Sequence, residues 1–343
     1  MYEIARDAGV SIATVSRVSR GVGQVSPQTR RKVQEAIDRL QFRPSRLGRA
    51  LVERRHAALG IVFPGLAGPY YSEVIAGFED EAVRARVGVV ILGTHLLRDS
   101  VDLVLDLADR VDGLAVMGGV VPDAQILRLV DRGAPVMLLA SAPVVGVPSV
   151  RTENTAATTR LTSHLLADHG YERLAFVGNP DGSPDATYRW RGFLQAHRRL
   201  GVAPPAEPVR VGLQQSDGFI ATSRLLDAPS HPRALVCAND ETALGAVVAV
   251  MDRGLRVPHD VAVTGFDDVA MSGLMAGGLT TVRQPMRELG AETARLLLRL
   301  VDGTLPPSLD RVLETQVVIR GSCGCGDRQQ PRSGDSVETC PDR

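Results

Sequence analysis

The chain has 343 residues, enough for two or three domains, and its content of 44% hydrophobic but only 4% aromatic residues means cores built from Ala, Val, Leu and Ile. No apolar run reaches the ~18 residues of a membrane span, and the N-terminus shows no basic stretch followed by an apolar one, so no signal peptide and no spanning helix are expected, and a cytoplasmic protein is. The net charge of zero hides an asymmetry: residues 1–58 carry 12 Lys and Arg against 5 Asp and Glu, a net of +7 that leaves −7 on the rest and confines a nucleic-acid footprint to one end.

In chain order, Tyr2–Ala8 is predicted as a short helix ended at Gly9, where the turn needs a residue tolerant of positive φ. Ser11 is placed to cap a second helix, Ile12–Arg20. Ile4, Ala5, Ala8, Val10, Val15 and Val18 form the apolar set between the two. This is a helix-turn-helix pattern. Ser26 caps a third helix with Pro27 in its first turn, and Val33, Ala36, Ile37 and Leu40 make its apolar stripe. In such a motif the second helix enters the major groove. Arg17 can grip guanine O6 and N7 with two hydrogen bonds, while Ile12 and Ala13 suit thymine methyls. Ser11, Thr14 and Ser16 offer short hydroxyls to phosphate oxygens.

The run Glu3-Ile4-Ala5-Arg6-Asp7-Ala8-Gly9-Val10-Ser11-Ile12-Ala13-Thr14-Val15-Ser16-Arg17-Val18 resembles the head of the lac/galactose repressor (LacI/GalR) family. So do Val25-Ser26-Pro27-Gln28-Thr29-Arg30 and Phe42-Arg43-Pro44, and the resemblance continues to about Gly321. It implies that Ile12, Ala13 and Arg17 choose the operator, and Ser26, Thr29 and Ser45 are counted with them as DNA-binding positions. Phe42 stands where the family has a frequent Tyr, and Ser19-Arg20 where Leu-Asn is usual. The domains expected are a helix-turn-helix head over 1–44, a hinge over 45–57, a body over 58–321 and a disordered tail over 322–343. Within the hinge, Ser45–Leu51 is helical in pattern but too short to be stable alone. The resemblance implies that it folds on DNA, pairs with its dimer mate and pushes Leu51 into the minor groove as a wedge. Gly48 weakens that helix where the family usually has Ala.

From Ala58 apolar runs alternate with amphipathic stretches. The runs are Leu59–Phe63, Val87–Leu92, Gly113–Met117, Val136–Ala140, Leu174–Val177, Ala234–Ala238 and Val261–Thr264; helices such as Ser72–Val83, Thr155–Asp168 and Glu241–Arg253 fall between them. The fold class is α/β, with parallel sheets covered by helices. This pattern alone fits one barrel or two lobes. The resemblance favours two doubly wound, periplasmic-binding-protein-like lobes, with crossings near Glu153–Thr155, Gln284 and Glu314. Ligands in such folds bind at the carboxyl ends of strands. Arg189, Asn239 and Asp267 match effector-contacting positions of the family, and a carboxylate, an amide and a guanidinium suit a polyhydroxylated ligand. Tyr70 and Tyr71 offer an aromatic platform. Leu213 stands where sugar-binding relatives often carry an aromatic, and Ala140 where they often carry Asp.

Cys237 reads as a buried small hydrophobe. Cys323, Cys325 and Cys340 lie in a Gly/Ser/Pro/Asp-rich tail with no nearby His and no common zinc spacing, so no metal site is expected. No cofactor is expected either. An enzyme is disfavoured: there is no G-x-G-x-x-G after the first strand, no P-loop and no G-x-S-x-G. A secreted sugar-binding protein fails on the basic head. The sequence therefore reads as a transcriptional regulator, a repressor by expectation, acting as a homodimer on a palindromic double-stranded operator. A small molecule, a sugar or sugar derivative, bound between the lobes would control it.

Overall fold

The structure is a computed structural model that describes residues 1–20, 23–40, 56–306 and 308–326. The hinge residues Ser45, Gly48 and Leu51, together with Phe42, Pro44 and Cys340, lie outside the described residues. Contacts divide the chain into two compact units, Met1–Ala58 and Leu59–Arg343.

The first unit contains α1 (Tyr2–Ala8), α2 (Ile12–Arg20) and α3 (Pro27–Arg39). Gly9 ends α1 in the left-handed conformation at φ 66°, the geometry that a residue without Cβ adopts most cheaply. Ser26 caps α3 by accepting from the Thr29 amide, with Pro27 in the first turn. One small core closes the unit: Ile4, Ala5, Val15, Val18, Val33 and Ala36 are buried, with Ala8, Val10, Val25 and Ile37 packed around them. Leu40 departs from the expected stripe. It is 42% exposed, because α3 ends at Arg39 and the stripe ends with it.

The second unit is built on two parallel sheets. The larger uses β1 (Ala58–Phe63), β2 (Gly88–Gly93), β3 (Gly113–Met117), β4 (Val136–Leu139), β5 (Ser149–Thr152) and β10 (Asp310–Leu313), in the order β10-β5-β4-β3-β1-β2. The smaller uses β6 (Leu174–Val177), β7 (Ala234–Cys237) and β8 (Ala262–Thr264) in sequential order. Helices cover them as sheets buried on both faces require: α4 (Pro69–Arg84), α5 (Ser100–Ala108), α6 (Asp123–Asp131) and α12 (Met286–Val301) belong with the larger sheet. The smaller sheet has α7 (Thr155–Ser163), α8 (Pro184–Leu200), α9 (Gln215–Leu226), α10 (Asp240–Asp252) and the short α11 (Ala270–Leu274). Where α4 meets α12, Gly77 and Gly290 face the other helix's backbone: a Cβ on either would overlap a carbonyl oxygen, of Arg287 or Val74. Both positions must therefore be glycine for the helices to lie this close.

Core burial follows the apolar runs, with Leu59, Ile61, Phe63, Ala115, Met137 and Val150 in one lobe and Val177, Leu235, Cys237 and Val263 in the other. The second run is the exception. Strand β2 is the sheet edge, and Val90 and Ile91 are 40% and 41% exposed. The chain passes between lobes at three places. It leaves β5 for α7 through Glu153 and Asn154. It returns from β9 (Thr281–Arg283) to α12 through Gln284. It passes out again from β10 to β11 (Gln316–Val318), which pairs antiparallel with β9. The fold class read from the sequence is the one observed.

Two local expectations are corrected. The helix expected over Thr155–Asp168 changes character at Ser163, and His164–Asp168 is a π-turn. The tail does not leave the fold at residue 322. Gly321–Cys323 is a 3-10 turn in which Ser322 and Cys323 are buried, because Ser322 Oγ donates to the Val263 carbonyl at 2.6 Å and accepts from the Thr280 amide at 2.8 Å. Composition hid this, since a small polar residue that bonds to the backbone of a core strand looks like linker in the sequence.

Candidate functional site

In the head the side chains that read DNA in a helix-turn-helix are on the surface. Ser11, Ile12, Ala13 and Arg17 are exposed, and Thr14 and Ser16 are half-buried at the N-terminal end of α2. Ser11 Oγ accepts from the Thr14 amide at 3.2 Å and lies 2.9 Å from Thr14 Oγ1, so the two hydroxyls fix each other. Ser26 Oγ donates to Thr29 Oγ1 at 2.8 Å in the same way at the start of α3. Arg30, Arg31 and Lys32 follow on the exposed side of α3. Such a surface can position itself on phosphates and present Arg17 to a base edge.

The body holds a cavity of about 280 Å3 where the carboxyl ends of both sheets meet. Tyr70, Tyr71, Arg189, Leu213, Asn239 and Asp267 all line it, so the structure brings together every ligand position read from the sequence. Each arrives for a local reason. Ser183 caps α8 by accepting from the Ala186 amide, with Pro184 at its first position. Asp185 and Arg189, four residues apart, then share one helix face. Asn239 caps α10: its Oδ1 accepts from the Thr242 amide at 3.0 Å and its Nδ2 donates to the Leu213 carbonyl at 2.9 Å, which leaves one amide hydrogen for a ligand. Asp267 follows β8 with φ 130°, and Asp268 with φ 60°. Two consecutive non-glycine residues at positive φ are strained backbone, of the kind found at ligand sites.

Arg189 is the centre of the polar cluster and is only 4% exposed. Its Nε donates to Asn154 Oδ1 at 2.8 Å and its Nη1 to the Ala238 carbonyl at 2.6 Å. The guanidinium lies 3.8 Å from the centroid of the Phe266 ring, 3.7 Å from Asp185 and 3.9 Å from Asp267. Asn154 Nδ2 donates to Asp185 Oδ1 at 3.0 Å. Gln284 Nε2 donates to Asp267 Oδ1 at 2.6 Å, and Thr152 Oγ1 donates to Gln284 Oε1 at 2.6 Å. Thr152, Asn154 and Gln284 sit in or beside the crossings between lobes, so the cluster is wired directly to them.

Electrostatically the cluster holds more carboxyl than cation. Burial pushes Asp267 up to about 8, with the Asp240 and Asp185 charges adding to it and Arg189 opposing it. Burial also raises Asp185, against the pull of Arg189. The Tyr70 hydroxyl, raised well above its usual range by burial, is among the few buried side-chain atoms of the described residues with no hydrogen-bond partner. Its ring meets Tyr71 edge-on at 5.5 Å. Sequence reasoning did not single out Ser183, Asp185, Gln214 or Glu241 on the cavity wall. The spacing of four from Arg189 was the one available signal for Asp185.

A small basic helix-turn-helix unit followed by two doubly wound lobes with a polar cavity at their strand ends defines a ligand-responsive DNA-binding regulator. Residues 1–45 match the model of the bacterial regulatory proteins of the lacI family, and residues 163–323 match the periplasmic binding protein-like domain. The chain is 31% identical over 331 residues to the HTH-type transcriptional repressor CytR of Escherichia coli (strain K12), covering 94% of this chain and 95% of that one. Its structure is similar to that of the lac repressor dimer bound to operator and the anti-inducer ONPF, with a TM-score of 0.82, 28% identity, and coverage of 94% and 98%. It is also similar to the complex of the transcriptional regulator CelR with cellobiose, with a TM-score of 0.71, 28% identity, and coverage of 93% and 98%. The chain belongs to the LacI family of transcriptional regulators; it is not an enzyme. No helix among the described residues is long and apolar enough to cross a membrane.

Proposed function

We propose that this chain is a dimeric repressor that binds a palindromic operator through its heads and is controlled by a small polyhydroxylated molecule, a sugar or sugar derivative, held in the cavity. One observation carries the ligand assignment: a buried cluster of Arg189, Asp185 and Asp267 beside the unpartnered Tyr70 hydroxyl. Folded proteins pair their buried polar groups, and a ligand rich in hydroxyls would satisfy this set. The CelR structure is a relative with a disaccharide bound. Leu213 on the cavity wall, where an aromatic is common, speaks for a derivative rather than a plain hexose; Ala140 lies in the larger lobe's hydrophobic core, outside the cavity lining.

The DNA-binding assignments are Ser11, Ile12, Ala13, Thr14, Ser16, Arg17, Ser26 and Thr29. Ser45 and the Leu51 wedge rest on the family resemblance, as do the domain limits at 44 and 57. A two-fold dimer would give each half-site one head, and the exposed apolar edge at Val90 and Ile91 suits burial against a second copy. Ligand would act through the crossings: any rearrangement of Asp267 or Arg189 pulls on Gln284, Thr152 and Asn154. A thermal-shift screen of sugars and sugar derivatives, repeated on Arg189→Lys, tests this. A hit on the wild type that disappears in the variant supports the site. A hit of equal size in both, or no hit from any polyhydroxylated compound while anions or bases succeed, overturns it.

A further inference from the structure

In the second lobe, away from the cavity lining, four metal-ligating atoms converge. They are His164 Nε2, His169 Nε2, Cys323 Sγ and Cys325 Sγ, all within 4.8 Å of one another. The two imidazole nitrogens are 3.2 Å apart. His164 Nε2 lies 3.5 Å from Cys323 Sγ and 3.4 Å from Cys325 Sγ, and His169 Nε2 lies 3.4 Å from Cys325 Sγ. Tetrahedral zinc with its usual bond lengths demands edges of about 3.3 Å between nitrogens and about 3.6 Å between nitrogen and sulfur.

The backbone is shaped to make this meeting possible. On an α-helix residues five apart point about 140° away from each other. The π-turn His164–Asp168 bonds further along the chain and brings residue 169 back over residue 164. On the other side, Gly324 separates the two cysteines at φ 103°, and a Cβ there would press within 3.3 Å of the His169 ring and 3.2 Å of the Tyr171 hydroxyl. Tyr171 stacks on the His169 ring at 5.4 Å between centroids and donates to the Cys323 carbonyl at 3.1 Å.

The protonation pattern agrees. His164 Nδ1 lies 2.7 Å from Asp168 Oδ2, which places the ring proton on Nδ1 and leaves the Nε2 lone pair facing the other three atoms. A carboxylate behind a histidine is the usual outer support of a zinc ligand. We propose that His164, His169, Cys323 and Cys325 form a structural zinc(II) site that clips residues 321–326 to the second lobe. Binding is balanced by release of the two thiol protons, and two thiolates with two neutral imidazoles make an uncharged centre suited to a half-buried place. The soft N2S2 set selects zinc over hard cations. With all four positions filled by protein, the site is closed to substrate.

The test uses the full chain, untagged, expressed in zinc-supplemented medium. Elemental analysis is expected to give about one zinc per chain, and exchange with cobalt(II) is expected to give the visible absorption of a tetrahedral thiolate centre. Cys325→Ser and His169→Ala lose both signals. Asp168→Asn, at an exposed side chain, keeps the fold by circular dichroism and lowers zinc affinity about 10–100-fold. Cys237→Ser, buried in a separate core cluster, retains the metal. The proposal is overturned by folded wild-type protein without zinc after supplementation, by zinc content unchanged in Cys325→Ser, or by a Cys323–Cys325 disulfide found by mass spectrometry in protein purified under reducing conditions.

Discussion

The head and the body hold their functional side chains under opposite conditions. In the head the core is wholly apolar, and the chemistry stands outside it: Arg17, Ile12 and Ala13 are exposed and pack against little. In the body Arg189, Asp185 and Asp267 are buried, and each is held by several partners. An exposed recognition residue costs almost nothing when its target is absent, so the head is free to change specificity without changing stability. A buried charged cluster costs several kcal/mol if any member is removed, so the cavity's specificity and the body's stability are tied together.

The sharpest way to break this contrast is Arg189→Ala. It strands two buried carboxyls and is expected to cost about 3–5 kcal/mol of body stability, read as a lower melting temperature, together with loss of any ligand-induced shift. A variant that melts like the wild type would mean the cluster is as loosely held as the head's surface. Next in size is Arg17→Ala, expected to cost about 1–3 kcal/mol per half-site and to relax preference at one guanine while leaving melting unchanged. Operator selection on the variant measures both. Uniform weakening on all sequences would reduce Arg17 to a phosphate contact.

The third test is pH. Asp267 has a folded value of about 8 against an ordinary 3.8, so the folded body holds this proton more tightly than the unfolded chain. Its favourable contribution is full below the ordinary value and is lost as pH rises toward the folded one. A ligand hydroxyl donating to Asp267 favours the charged form. Ligand affinity is therefore expected to rise with pH, by up to about tenfold per unit, and to level off above about 8, with proton release seen by calorimetry in two buffers. Asp267→Asn should flatten that slope; a slope that survives the substitution belongs to another group. The smallest effect is expected from Tyr70→Phe. The hydroxyl has no protein partner, so stability should hold or rise slightly while ligand affinity drops by about 0.5–1.5 kcal/mol. A loss of stability without a loss of affinity would make Tyr70 a packing residue.

The same contrast explains what could be read in advance. The head is legible because its elements are set by local signals: Gly9, the Ser11 and Ser26 caps, Pro27 and the apolar spacing. The sheets are legible because each strand is a short apolar run between amphipathic stretches. The cavity is legible only in part. Asp267, Asn239 and Arg189 follow strands or open a helix, where ligand groups are expected, but the partners Thr152, Asn154 and Gln284 come from crossings up to 132 residues apart. No local pattern marks them. The meeting of His164 and His169 with Cys323 and Cys325 was hidden twice, by a separation of 159 residues between His164 and Cys323 and by a π-turn that a helical reading cannot register.

The three crossings between lobes also govern the order of synthesis. The lobe begun first, with β1 to β5, lacks β10 and α12 until residues 286–313 have left the ribosome, because β10 pairs beside β5 and α12 packs on α4. The smaller sheet, β6 to β8, is made entirely within that interval. The nascent chain thus carries an open β5 edge and an uncovered α4 face while β6 to β8 are already paired, and the second lobe in turn is closed only by β11 and the Gly321–Cys323 turn, so neither lobe is finished before the last residues of the body emerge. In vivo, chaperone demand should fall on this interval rather than on the head, whose core is closed by residue 36 and is free to fold as soon as it emerges.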